Sequence, residues 1–410
     1  MAEKHKKPHA IVFAYPLQGH IVPVVHLALK LASHGFTITF INPTPSTITH
    51  PRPIPKLVQS CLPRPANQFL AALLHVFSAH AEEVVAKIVA SGEDVHCLIA
   101  DTFFVWPSKI AKKFDLVHVS FWTEPALVFT LYYHWDLLRL NGHFDCQDCR
   151  EDTIDYIPGV KAIEPKDTTS YLQETDTTSI CHQIIYSCFI DTKNADFVLC
   201  NTVQELEHDT ISALQAKIPY YAIGPIFPND FSKTIVATSL WSESQCTKWL
   251  DKRPHASVLY VSFGSYAHVT KNDLVEIASG LSLSKVSFVL VLRPDVVSSD
   301  DADPLPVGFK EEVADRALLY LVVDDWKIGI NLSNKKVISK EEVSDNINRL
   351  MSGESKDEFK NSIKEIKKTL ESAVSPSGSS EKNMLQFIKD LEAKIEKIAH
   401  AKNSNCNGHV

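Results

Sequence analysis

Residues 9–16, HAIVFAYP, form a near-continuous apolar run with no polar alternation. A strand of that kind is stable only when both of its faces are buried. A helical pattern, IVPVVHLALKLASHG, follows at once, with Pro23 in its first turn and Gly35 as its stop. The strand FTITFIN comes next. The alternation continues with a helix from about Gln68 to Ala90, the strand VHCLIAD, a helix containing WPSKIAKKF and the strand LVHVSFWT, then later DFVLCNT and YYAIGP. Strands separated by helices in this order predict a parallel, doubly wound, Rossmann-like sheet. Residues 43–65 carry seven prolines and are predicted to be a loop.

After a polar stretch, FPNDFSKTIVATS, the pattern restarts: SQCTKWLDKR as helix, SVLYVSFGS as strand, a helix near 273–283, and SFVLVLRP as strand. The fold class is therefore α/β with two Rossmann-like doubly wound domains. The first spans 1–228, a linker 229–240, and the second 241–379. Residues 380–410 form a C-terminal helix and tail. Its stripe of Met384, Phe387, Leu391, Ile395 and Ile398 has helical spacing and is expected to pack back onto the body rather than to recruit a partner coil.

A net charge of −8 argues against nucleic acid or an anionic membrane as the main partner, since either calls for a basic surface. The start, MAEKHKKPHA, is polar, so neither a signal peptide nor a membrane span is expected and the chain reads as cytoplasmic. Nine scattered cysteines suit reduced thiols. His143, Cys146 and Cys149 stand at zinc-like spacing, but no second pair follows, so no metal is expected.

Two residues stand out chemically. His20 lies between the first strand and the first helix, at the carboxyl edge of a parallel sheet, where ligands bind. The positive end of the helix dipole there disfavours an imidazolium and keeps a neutral base available. Asp101 ends VHCLIAD and emerges at the same edge. It either orients the imidazole of His20 or caps the helix that follows. Gly264 and Ser265, ending VSFGS, are placed to touch a phosphate. A hydrolase built on Ser265 lacks the G-x-S-x-G elbow.

PLQGHIVPVVHLALKLASHG, CLIADTFFVWPSKIAKKF, VSFWTEPA, VLCNTVQELEHDTISAL, WLDKRPHASVLYVSFGS, LPVGFKEEVADRAL, DDWKIGINL and SPSGSSEKNMLQFIKDL together resemble the plant UDP-dependent glycosyltransferases of small molecules. The resemblance runs in order from about Pro8 to Leu391. It implies a GT-B fold, with an acceptor bound to the N-terminal domain and a UDP-sugar to the C-terminal one, and inversion at the sugar carbon. His20 then matches the general base and Asp101 its acidic partner. Thr123, Gly264 and Ser265 resemble donor contacts, while Gly19, Phe104, Phe121 and Trp122 lie where the family lines its acceptor cleft, a core role being equally open for each of the three aromatics. The implied partners are a UDP-sugar co-substrate and a small hydrophobic hydroxylated acceptor, handled by a monomer without a cofactor.

One segment departs from the family. Between DRALL and DDWKIGINL the family carries a tryptophan that stacks on uracil, a His-Cys-Gly-Trp-Asn-Ser helix start for the phosphates, and carboxylates for ribose and sugar. None of these stands in ADRALLYLVVDDWKIGINLS, and only 13 glycines occur in 410 residues. The stretch reads as a seam. On this reading the second domain is truncated by loss of internal strand-helix units. Losing three charge-assisted phosphate contacts weakens donor binding by roughly 10³- to 10⁶-fold.

Overall fold

The computed structural model describes residues 7–41, 66–144, 152–173, 176–226, 249–263, 269–292, 297, 305–313 and 338–406. The linker, the proline loop, Gly264, Ser265, Cys146, Cys149 and the seam all lie outside them. The chain divides into two compact units, Met1–Leu240 with Leu370–Val410, and Trp241–Thr369. The return to the first unit thus begins ten residues ahead of the position 380 suggested by the sequence.

The first unit alternates as its sequence does. Its elements are β1 (His9–Phe13), α1 (Gln18–Ser33), β2 (Thr37–Ile41), α2 (Ala66–His75), α3 (Phe77–Ala90), β3 (Cys97–Asp101), α4 (Pro107–Lys113) and β4 (Val117–Trp122). They continue through α5 (Ala126–Tyr133), α6 (Trp135–Leu140), α7 (Ser170–Gln173), α8 (Ile180–Thr192), β5 (Phe197–Cys200), α9 (His208–Gln215) and β6 (Tyr220–Ala222). All six strands are parallel, in the order β2-β1-β3-β4-β5-β6. Every residue of β1, β3 and β4 is buried, as their unbroken apolar runs require. Gly35 stops α1 at φ +94°, and Phe36 donates its N–H back to the Leu31 carbonyl at 3.2 Å. That is a Schellman closure, with both side chains in the core.

The helix expected over about 68–90 is two helices. The ladder breaks at Val76, whose φ of −115° leaves the helical range, and the halves meet at 54°. The bend sets the Phe77 ring against Phe104, stacked at 5.5 Å. Among the described residues no single helix is long and apolar enough to cross a membrane.

The second unit holds a parallel pair, β7 (Val258–Ser262) and β8 (Ser287–Val291), joined through α10 (Lys271–Ser284). Then come α11 (Phe309–Glu312) and α12 (Lys340–Met351). α10 and α12 approach closely at Gly280, where an added Cβ would lie 2.5 Å from the Val343 side chain. Leu259, Val261, Leu281, Phe288, Val343 and Ile347 form the core there. α13 (Gly353–Ala373) leads back to the first unit.

The last helix, α14 (Ser379–Cys406), buries Met384, Phe387, Ile388 and Leu391 in the same core as β1, β3 and β4. Asn383 Nδ2 donates to the Ala222 carbonyl at 2.8 Å, the Tyr221 hydroxyl donates to Asp390 at 2.7 Å, and Lys30 pairs with Glu381 at 2.7 Å. Phe387 meets Phe197 and Tyr221 edge to face, both at 5.7 Å. Phe387→Ala opens a cavity in this core and is expected to destabilise the first unit by about 3–5 kcal/mol. Urea unfolding followed by tryptophan fluorescence checks this; a loss under about 1 kcal/mol would mean that the helix does not dock as described.

Candidate active site

β1 and β3 are hydrogen-bonded neighbours, with Val12 beside Ile99 and Phe13 beside Ala100, although a helix, a strand and two more helices separate them in sequence. Here the strand order reverses, and a doubly wound sheet opens a crevice at the carboxyl ends of its strands. His20 enters it from the first turn of α1 and Asp101 from the last residue of β3. His20 Nδ1 lies 2.8 Å from Asp101 Oδ2. The carboxylate is 1% exposed, and its other oxygen accepts the Phe103 N–H at 2.9 Å. Asp101 is therefore no cap for α4; Asp191 takes that place by accepting the Ser108 N–H at 3.1 Å.

This geometry assigns the two ring nitrogens. With a carboxylate on Nδ1 the neutral imidazole carries its proton there, and Nε2 presents a lone pair. No hydrogen bond to Nε2 occurs among the described residues. Thr123 Oγ1 lies 3.2 Å from Nδ1, which brings a third sequence candidate to the base. Gly19 is exposed, with open space where a Cβ would stand.

Burial lowers the basicity of His20, but the charge and hydrogen bond of Asp101, with a further contribution from Glu124, outweigh it and leave the pKa raised above 6.5. The helix dipole thus does not decide the matter, contrary to the expectation from sequence, because the Asp101 carboxylate 2.8 Å from Nδ1 favours the charged ring. Glu124 is half-buried. Desolvation raises its own pKa, opposed by His20 and reinforced by Asp101.

For three aromatic acceptor candidates the structure shows the burial of the core alternative. Phe121 and Trp122 are fully buried, and Phe104 packs between Tyr15, Phe77 and Trp106. The rings beside the base are Phe103, 5.0 Å from His20 and edge-on, and Tyr15 at 5.4 Å. Sequence reasoning missed Phe103, because strict alternation ends with β3 and does not tell Phe103 from Phe104. Glu124 carried the same signal as Asp101, a carboxylate just past a strand end. His143, from the zinc-like trio, meets Tyr156 and Asp152, and no group of three metal-ligating side chains occurs among the described residues.

No family model matches the chain. Two Arabidopsis thaliana proteins do: UDP-glycosyltransferase 86A2, 48% identical with 95% of this chain and 96% of that protein covered, and UDP-glycosyltransferase 86A1, 46% identical with 99% and 98% covered. The chain belongs to the plant UDP-glycosyltransferases. Its fold agrees. A UDP-glucosyltransferase from Polygonum tinctorium capable of glucosylating indoxyl superposes with a TM-score of 0.75 at 22% identity, over 95% of this chain and 100% of that one. A Phytolacca americana glycosyltransferase bound to UDP-2-fluoro-glucose and pterostilbene gives 0.73 at 21%, over 94% and 100%. Both carry the GT-B fold of plant UDP-glycosyltransferases. The alignment with UDP-glycosyltransferase 86A1 runs over 487 positions against 410 residues here. That relative therefore carries at least 77 residues with no counterpart in this glycosyltransferase, the difference of those two numbers.

A raised His20 pKa makes a directional prediction. The extra stability of the protonated, paired state is complete below pH 6.5 and is lost as pH rises through the folded value, where the neutral base appears. In a ring-proton NMR titration, His20 of the wild type should titrate above 6.5. In Asp101→Asn burial outweighs what Glu124 still contributes, and the midpoint should fall to 6.5 or below. An unchanged midpoint would remove Asp101 from its role.

Proposed function

We propose that the chain carries inverting hexosyl-transfer chemistry, moving glucose from a UDP-sugar to a hydroxyl of a small hydrophobic acceptor. The observation that supports this best is the 2.8 Å contact between His20 and a fully buried Asp101 at the switch point of the sheet, with Nε2 left open. Nε2 takes the acceptor's hydroxyl proton, and the oxygen attacks the anomeric carbon. The bond to the UDP oxygen breaks on the opposite face, and its electron pair leaves with UDP. Asp101 holds the imidazolium that forms. Thr123, next to the base, is the residue assigned to the sugar's hydroxyls. Gly264 and Ser265 are assigned to the donor phosphate, and Gly19 to the acceptor side. The protein works as a cytoplasmic monomer, with no cofactor or metal.

A second reading has its own support. The uracil, phosphate and ribose contacts of the family are absent around residues 318–323, and UDP-glycosyltransferase 86A1 has at least 77 residues that this chain lacks. On that reading the chain is a splice or gene-model variant that holds UDP-sugar poorly, does not turn over, and keeps only an acceptor site.

Calorimetric titration with UDP-glucose, alongside the Arabidopsis protein, separates the two. Saturable binding at millimolar concentration or tighter, with His20→Ala abolishing UDP release but not binding, supports transfer. A donor affinity weaker than the relative's by roughly 10³-fold or more, with no UDP release, leaves the second reading standing.

A further inference from the structure

Glu124 has no role in the chemistry described so far. It directly follows Thr123, just beyond β4, on the carboxyl edge that also presents His20 and Asp101. It is half-buried, and no hydrogen bond or ion pair with a described residue reaches its carboxylate. A partly desolvated carboxylate without a donor is costly, and a site that retains one gains most when a ligand supplies the donor. Its charge acts on both His20 and Asp101, and among the described residues no lysine or arginine sets the field at His20 or at Glu124. The crevice therefore combines a half-buried carboxylate, Glu124, with the partly exposed ring of Phe103, which lies beside His20, above the buried Asp101.

We propose that Glu124 selects the acceptor by charge: the site takes hydroxylated aromatics that are neutral or cationic and rejects those that carry a carboxylate. The acceptor's reacting hydroxyl faces Nε2 of His20, its ring lies against Phe103, and a second hydrogen-bond donor or an ammonium group meets Glu124. An acceptor carboxylate in the same place faces the charge of Glu124, with that of Asp101 behind His20. A cation gains from Glu124 and from the aromatic faces together. The inference rests on the acceptor half of the proposed function, which both readings of the donor half share, so it needs no turnover.

Three phenols that differ in one substituent serve as probes: tyramine (cationic), tyrosol (neutral) and 4-hydroxyphenylacetate (anionic). Calorimetry on the full chain should rank them in that order, with tyramine ahead of the anion by about thirtyfold at low salt. Glu124→Gln, which keeps the size of the side chain, should cut that ratio by about tenfold, whereas Glu124→Asp should keep most of it. A ratio left unchanged by Glu124→Gln overturns the proposal, and so does a wild type that binds the anion as tightly as the cation. Loss of all binding in both variants also overturns it, because Glu124 would then be structural. If none of the three phenols binds the wild type, the acceptor reading itself fails and this proposal fails with it.

Discussion

The hydrogen bond between His20 and Asp101 joins residues 81 positions apart, and it exists because β1 and β3 lie side by side in parallel. A parallel pair places both carboxyl ends on the same edge, and the crossover rule brings the following helices onto the two faces. The register of Phe13 beside Ala100 puts Asp101 one residue beyond the paired stretch, level with the first turn of α1. A slip of one residue in either strand would turn Asp101 to the other face and leave a buried, unpaired carboxylate. Because β1 and β3 are apolar on both faces, their runs alone do not fix the register, and the His20–Asp101 hydrogen bond favours the observed one.

This dependence explains what was legible in the sequence. Every strand of the first unit stood out as a short apolar run, and Gly35 marked a helix end that carries a left-handed φ of +94°. His20 and Asp101 were readable because strand ends in a parallel sheet share an edge. Local irregularity was not readable. The break at Val76 follows no proline or glycine and serves the packing of Phe77 on Phe104, a contact between residues 27 apart. The choice between Phe103 and Phe104 was equally hidden, because the chain turns immediately after Asp101 and Phe103 commits its N–H to that carboxylate. For Phe121 and Trp122 the sequence left cleft and core roles equally open, and they lie inside β4, where every residue is buried.

The electrostatics show the same limit in another form. A helix start near a histidine is visible in sequence and argues for a neutral ring. The opposing influence comes chiefly from Asp101, which reaches the ring from another strand and wins because it is a full charge 2.8 Å away rather than a partial charge at a helix end; Glu124 adds a smaller contribution. Glu124 lay in plain sight in VSFWTEPA. Its importance depends on β4 lying next to β3, a fact of topology rather than of composition.

On the proposed function, a base acted on by two carboxylates also constrains the order of events. Were the acceptor hydroxyl ionised before bonding to the sugar, its full negative charge would develop near Asp101 and Glu124, and among the described residues no lysine or arginine acts on that field. On that function, transfer of the proton to Nε2 turns the arrangement from a penalty into a stabilisation, since Asp101 holds the imidazolium while charge on the oxygen is drained into the new bond. Such a site favours a step in which proton transfer accompanies bond formation. The raised basicity of His20 and the burial of Asp101 both act in that direction, and neither depends on how much of the donor half is present.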